Sequence, residues 1–305
     1  MTTSPSDLFP RIEALVGKAW TLAALAAAIS AEPSGGRLGE EHGTLLGAAG
    51  FAERSDEGWR LLPEYREALR VRGDAGAVPG RLARMLRLAA DAAEGVPEQA
   101  DDGDGVLLAE GRASGERVVR LLDLAARQDP GLGALAEHPK PRFLDVGTGV
   151  GGVAAALAER FPRGRAVGLD TDPAMVRLAE HHLEERGLAD RVEVRVEDAA
   201  ELAEEDRYDL VWLPLSVLSP EAAAKALPRT AKALRPGGRL LAATALRETP
   251  EGVRDGVIAW RMALRGVTPW PPREVVSQAE EAGLTAKEIP TPPTSVALVV
   301  AHMPE

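Results

Sequence analysis

Cysteine is absent from the 305-residue chain, which excludes a disulfide framework, a thiolate zinc site and a cysteine nucleophile. Aromatics are scarce: four Phe, five Trp and two Tyr. An excess of positive charge is also missing. Lys+Arg is 36 against 47 Asp+Glu, a net charge of −11. Residues 1–138 hold 15 basic and 22 acidic side chains, a balance of −7, and the remainder carries −4. Neither half is basic, so a phosphate backbone would approach against the field and no nucleic-acid partner is expected. Long apolar runs are lacking too. The longest, Ala19 to Ile29, is interrupted by Thr21 and falls short of the roughly 20 residues that span a bilayer. Residues 1–7 lack a basic segment followed by an apolar one. These absences lead to the expectation of a cytoplasmic protein with no membrane partner.

What is present is enough apolar residue, 45%, and enough length for a real core, at about 150 residues per domain two domains. No fixed-period repeat is visible, so solenoids and propellers are not expected. Leu8, Ile12, Leu15 and Val16 recur at helical spacing, as do Leu22, Leu25 and Ile29. A break follows at 33–36, then a short helix over 43–49 and a hairpin over 51–62 turning at Asp56-Glu57-Gly58. That order outlines a winged helix lacking a well-formed second helix. Two amphipathic helices, 79–94 and 115–128, flank the loop Asp101–Gly105. This loop lacks the spacing and closing Glu of a calcium loop, and no metal site is expected.

Beyond Pro139–Arg142 short apolar runs alternate with helical patterns: 143–146, 165–169, 192–196, 210–213 and 239–243. This alternation predicts βαβ units and a parallel sheet. Residues 285–289 and 295–301 are separated only by Pro-rich loop, so they should pair antiparallel. The expected fold class is α/β: a doubly wound, mostly parallel seven-stranded sheet after a mainly helical domain. The expected domains are 1–138 and 139–305.

The strongest motif is Asp145-Val-Gly147-Thr148-Gly149-Val-Gly151-Gly152, which follows a strand and opens a helix with the stripe Val153, Leu157, Phe161. Glycines there let the backbone turn tightly and approach a ligand. The second strand ends at Asp170, followed by Thr171, Asp172, Pro173 and Met175, an N-cap with proline at the first helical position. The acidic pair Glu197-Asp198 ends the third strand just before Ala199, and Arg235-Pro-Gly-Gly238 leads into the fifth. Gly147-x-Gly149-x-x-Gly152 also satisfies the dinucleotide fingerprint, which leaves an NAD-dependent oxidoreductase as an alternative. The ordered set, from 143 to about 301, resembles the class I S-adenosylmethionine-dependent methyltransferases.

That resemblance implies a cofactor, S-adenosylmethionine, leaving as S-adenosylhomocysteine, with no metal. It implies that Asp145 and the Gly147–Gly151 backbone, with Thr148, hold the amino-acid end. Asp170, with Thr171 and Met175 beside it, would take the ribose, and Asp198 and the Ala199 amide the adenine. Leu213 and Leu215 would face the sulfonium. Asp145 and Asp198 could instead simply cap the helices that follow them. Many small-molecule methyltransferases carry a winged-helix-like N-terminal domain that dimerises and covers the site, so a homodimer is a further expectation. Against a DNA-binding regulator stands the −7 charge of residues 1–138.

No histidine follows the fourth strand, His182 falls on a packing stripe and His181 points away, so no catalytic base is nominated. Methyl transfer can proceed without one, since alignment supplies roughly 7–11 kcal/mol and a base only about 10²–10⁴-fold. The expected reaction is methylation of an N or O nucleophile on a small molecule of secondary metabolism. A cofactor-binding fold without methyl transfer is the second reading. Candidate substrate contacts are Trp20, Trp212, Trp260, Arg261 and Trp270. Trp260 lies on the stripe Val253, Val257, Trp260, Leu264, which reads equally as core.

Overall fold

The computed structural model describes residues 8–71, 75–96, 103–245, 252–268, 270–292 and 296–305. The chain divides into two compact units, Met1–Asp101 and Asp102–Glu305.

In the first unit, α1 (Leu8–Ala31) and α2 (Glu40–Ala48) precede a hairpin of β1 (Ala52–Ser55) and β2 (Gly58–Leu61). Then come α3 (Pro63–Val71) and α4 (Val78–Glu94). Its small core is Ala28, Leu46, Ala52 and Leu61. Gly43 and Gly47 leave room for the Trp59 ring on α2, where any Cβ would collide with it. The elements follow the expected helix–helix–hairpin order. One expectation changes. Leu8–Ser34 is long and apolar enough, by length and composition, to cross a membrane. Arg11, Glu13 and Lys18 dilute the apolar pattern without ending the helix, so the uninterrupted run understated it. Leu8, Phe9, Ile12, Leu15, Val16 and Trp20 of α1 are all exposed.

The second unit begins with α5 (Asp104–Ala126) and α6 (Pro130–Ala134). There follow β3 (Arg142–Val146), α7 (Gly152–Arg160), β4 (Arg165–Asp170), α8 (Pro173–Glu185) and β5 (Val192–Val196). The chain continues through β6 (Tyr208–Pro214), α9 (Pro220–Ala233), β7 (Leu234–Thr244), α10 (Gly252–Leu264) and α11 (Pro272–Glu281). It ends with β8 (Thr285–Ile289) and β9 (Ala297–His302). The seven strands run in the order β5-β4-β3-β6-β7-β9-β8. The pairs from β5 to β7 are parallel, and β9 is antiparallel to both β7 and β8. Strand alternation divides the core into two layers. Phe143 faces α5 and α7, whereas Leu144 faces α9 and α11. The expected class and the antiparallel C-terminal pair are both realised.

Helix α5 belongs to the unit that holds the sheet, so the division falls near 101 and not at 138. Three glycines explain it. A Cβ on Gly115 would strike the Gly152 carbonyl, and one on Gly152 the Gly111 carbonyl, so α5 and α7 touch backbone to backbone. The same helix begins 11 residues before the expected 115, at Asp104. Asp101 and Asp102 of the acidic loop lie outside the described residues.

Candidate cofactor site

Strand β3 delivers the chain into the glycine turn. Gly147, Gly149 and Gly151 have φ of 64°, 55° and 73°, the left-handed region where a Cβ is penalised. Asp145, at the end of β3, is buried beneath this turn. Its Oδ2 accepts from the Thr148 hydroxyl at 2.6 Å and from the Ala154 amide at 3.0 Å. The carboxylate therefore does cap the first turn of α7. Burial pushes its pKa up to about 7, and the nearby Asp170 charge adds to this, while the bonds from Thr148 and Ala154 oppose it.

Asp170 closes β4. Its Oδ2 accepts from the Gly149 amide at 2.8 Å and its Oδ1 from the Asp172 amide at 3.0 Å. Asp172 caps α8 through the Ala174 amide at 2.7 Å. Asp198 accepts from the Ala200 amide at 2.9 Å, so here too capping is realised. Each carboxylate oxygen has further lone pairs for a ligand.

Two cavities flank the turn and share Gly147 and Val217. One, about 270 Å³, is lined by Asp170, Thr171, Asp198, Ala199 and Leu218 among others. The second, about 320 Å³, is lined by Asp145, Thr148, Gly149, Met175, Trp212 and Pro214, and by one face of α5. A larger cavity, about 760 Å³, lies in the first unit beside Glu32, Arg66 and Pro79, and no candidate residue lines it.

The structure thus brings Gly147, Thr148 and Gly149 of the loop, with Asp145, Asp170, Thr171, Met175, Asp198 and Ala199, around one pair of cavities, whereas Gly151 lines neither and faces Ala179 and Leu183 of α8. Leu213 and Leu215 are corrected. Both are fully buried in the layer facing α9 and line neither cavity. Every residue of β6 from Tyr208 to Leu213 is buried, so the sequence offered no phase by which to choose a face. The alternate residues Trp212 and Pro214 line the cavity instead. Of the other substrate candidates, Trp20 is exposed on α1 in the first unit. The α10 stripe is exposed and not core: Trp260 is 54% and Val253 83% exposed. Trp260, Arg261 and Trp270 line neither cavity. Trp270 packs against the α9-side layer, and its carbonyl accepts from the Thr244 hydroxyl at 2.6 Å.

None of the five histidines lines either cavity. His182 is buried, and burial with the Arg186 and Arg112 charges holds it below its ordinary pKa. The residues missed in the sequence are Glu110, Ser114 and Arg117 of α5 and Ser216 and Val217 after β6. A signal existed for α5: positions 107, 110, 114, 117 and 121 form one helical stripe.

Residues 143–238 match the family described as Methyltransferase domain. Demethylmenaquinone methyltransferase of Thermus thermophilus is 38% identical over 111 residues, covering 35% of this chain and 48% of that protein. The chain spans only about a third to a half of the length of the curated relatives it matches. Among solved structures, an O-methyltransferase family protein from Burkholderia thailandensis superposes with a TM-score of 0.72 at 17% identity, covering 100% of this chain and 99% of that one. The O-methyltransferase NcsB1 from neocarzinostatin biosynthesis, in complex with S-adenosyl-L-homocysteine and 1,4-dihydroxy-2-naphthoic acid, does so at 0.62 and 18%, covering 95% and 96%. At such identity the likeness establishes the fold. That fold is the class I methyltransferase fold. Within it lie residues 143–238, the stretch that matches the methyltransferase-domain family.

Proposed function

We propose that this chain transfers a methyl group from S-adenosylmethionine to a hydroxyl or amine of a small molecule in secondary metabolism. The observation that carries the reading is the pair of cavities joined at Gly147 and Val217. One offers two carboxylates, Asp170 and Asp198, to a ribose and an adenine amino group. The other offers the loop, a buried carboxylate and an apolar wall of Trp212 and Pro214. NcsB1, in complex with S-adenosyl-L-homocysteine and an aromatic acid, supports a small-molecule acceptor. When bound, the cofactor supplies an electrophilic methyl carbon on a sulfonium that is already a good leaving group. The protein's part is to hold that end against the apolar wall, align an acceptor and exclude water. With no histidine at the cavities, alignment carries most of the acceleration, roughly 7–11 kcal/mol.

We read the first unit as winged-helix-like, and the exposed face of α1 as covered by a second copy in a cytoplasmic homodimer. Arg11, Glu13 and Lys18 within α1 support protein over lipid as its cover, because charges are costly inside a bilayer.

The test is calorimetric titration with S-adenosylmethionine, S-adenosylhomocysteine and NAD, on the wild type and Asp170→Ala. Micromolar binding of both adenosyl ligands, weakened at least tenfold in the variant, is expected. Preference for NAD would replace this reading with a nicotinamide enzyme.

A further inference from the structure

Four neighbouring parallel strands, in the order β5-β4-β3-β6, each begin on or just after an arginine: Arg191, Arg165, Arg142 and Arg207. Register sets three of them side by side. Arg142 pairs with Arg165, and Ala166 with Val192, which puts Arg165 next to Arg191. Neighbouring strands lie about 4.8 Å apart, so the three span about 10 Å. All four arginines line one cavity of about 420 Å³, together with two carboxylates, Asp190 and Glu193. The chain itself answers little of this charge. Arg142 donates through its amide to Asp209, while its guanidinium has no partner among the described residues. Arg165 Nη1 donates to the Asp190 carbonyl at 2.8 Å and Arg191 Nη1 to the Ala158 carbonyl at 2.6 Å, both groups without net charge. Glu193 is taken by Arg195 at 2.7 and 3.1 Å. Arg207 has only a share of Glu204, which Arg195 holds more closely, at 3.0 Å against 3.4 Å. Like charges set this close repel, and an anion between them removes the cost.

We propose that this cavity binds a phosphate chain, that of a nucleoside triphosphate or of a free polyphosphate. A guanidinium is a planar fork of donors that matches phosphate oxygens in pairs. A row of such forks about 10 Å long suits several linked phosphates better than one. The cavity volume lies in the range that small ligands occupy. A whole-chain charge of −11 repels a long nucleic acid, whereas a short anion meets only the local field. The site is separate from the cofactor cavities. Arg165 opens β4 and Asp170 closes it, about 17 Å away. The inference therefore stands independently of the methyltransferase reading.

The experiment is calorimetric titration with sodium tripolyphosphate, which has neither adenine nor ribose to offer the cofactor cavities. Wild type should bind it in the micromolar range at about 0.1 M salt, where charges more than about 10 Å apart are screened. Arg142→Gln and Arg165→Gln should each weaken binding at least tenfold. Arg177→Gln removes the same charge from an exposed position on α8 and should stay within twofold. Arg142→Lys, which keeps the charge but not the paired donors, should lie between wild type and Arg142→Gln. Without ligand, Arg142→Gln should melt no lower than the wild type, because that guanidinium holds nothing within the chain; its lost affinity then reports the site and not the fold. A second titration with ATP separates the two sources. Binding that depends on Arg142 and is as tight as tripolyphosphate or tighter assigns a nucleotide, and weaker binding assigns a free polyphosphate. No binding of tripolyphosphate by the wild type would overturn the proposal. So would affinity unchanged in Arg142→Gln and Arg165→Gln, or lowered equally in Arg177→Gln, which would mean general attraction to positive charge.

Discussion

Asp145 illustrates how one residue can hold a loop and prepare a site at the same time. Its carboxyl is buried and titrates near 7 against an ordinary 3.8. Below about pH 4 it is neutral in both the folded and unfolded states. Between about 4 and 7 the unfolded chain releases this proton while the folded one keeps it, so stability falls as pH rises across that window. Three pH units correspond to about 4 kcal/mol. Asp145→Asn keeps an acceptor for Thr148 and Ala154 and removes the titration. Urea midpoints should coincide for the two proteins at pH 4 and favour Asn at pH 8; parallel curves throughout would contradict this. A cation brought beside Asp145 lowers its pKa, so cofactor binding near pH 7 should release a proton. Titrations in buffers of different ionisation enthalpy read that release directly.

At the scale of elements, the meeting of α5 with α7 is governed by glycines whose missing Cβ atoms make contact possible. Gly115→Ala places a methyl against the Gly152 carbonyl and should cost about 1–3 kcal/mol of unfolding free energy. Gly256→Ala, mid-helix in α10 with nothing within 4 Å, should instead stabilise by roughly 0.5–1 kcal/mol. Thermal melts of both variants check the opposite signs. This contact also shows where sequence reading stopped. The strands were legible because each is a short apolar run closed by a turn signal, as from Phe143 to Gly147. The glycine turn, Asp170 and Asp198 were legible because their spacing is local. The first half of helix α5 was not, since Gly111 and Gly115 interrupt its apolar pattern for a reason that lies in α7. Leu213 and Trp212 were both candidates, and a strand buried on both faces carries no alternation to separate them. The α10 stripe has helical periodicity, but nothing within one helix says what will cover it.

For the whole molecule, the notable imbalance is apolar surface left open on an acidic protein. Ile12, Leu15, Val16 and Trp20 of α1 stand exposed on a chain of net charge −11. Contiguous patches of this kind mark interaction surfaces. Sedimentation of the wild type should give a dimer, and Ile12→Glu with Trp20→Glu a monomer at the same concentration. Flotation of the wild type with lipid vesicles, lost in the same variant, would assign the face to a membrane instead.

The grip of Asp170 on the Gly149 amide has a kinetic consequence. The turn takes its shape from bonds within the chain, before any ligand arrives, so a ligand has nothing there to order. Capture should then be a single exponential whose rate climbs linearly with ligand concentration in stopped flow, with no plateau from a slow rearrangement. Severing that bond with Asp170→Ala should introduce a lag as well as a loss of affinity, because the loop would first have to find the conformation it now holds at rest.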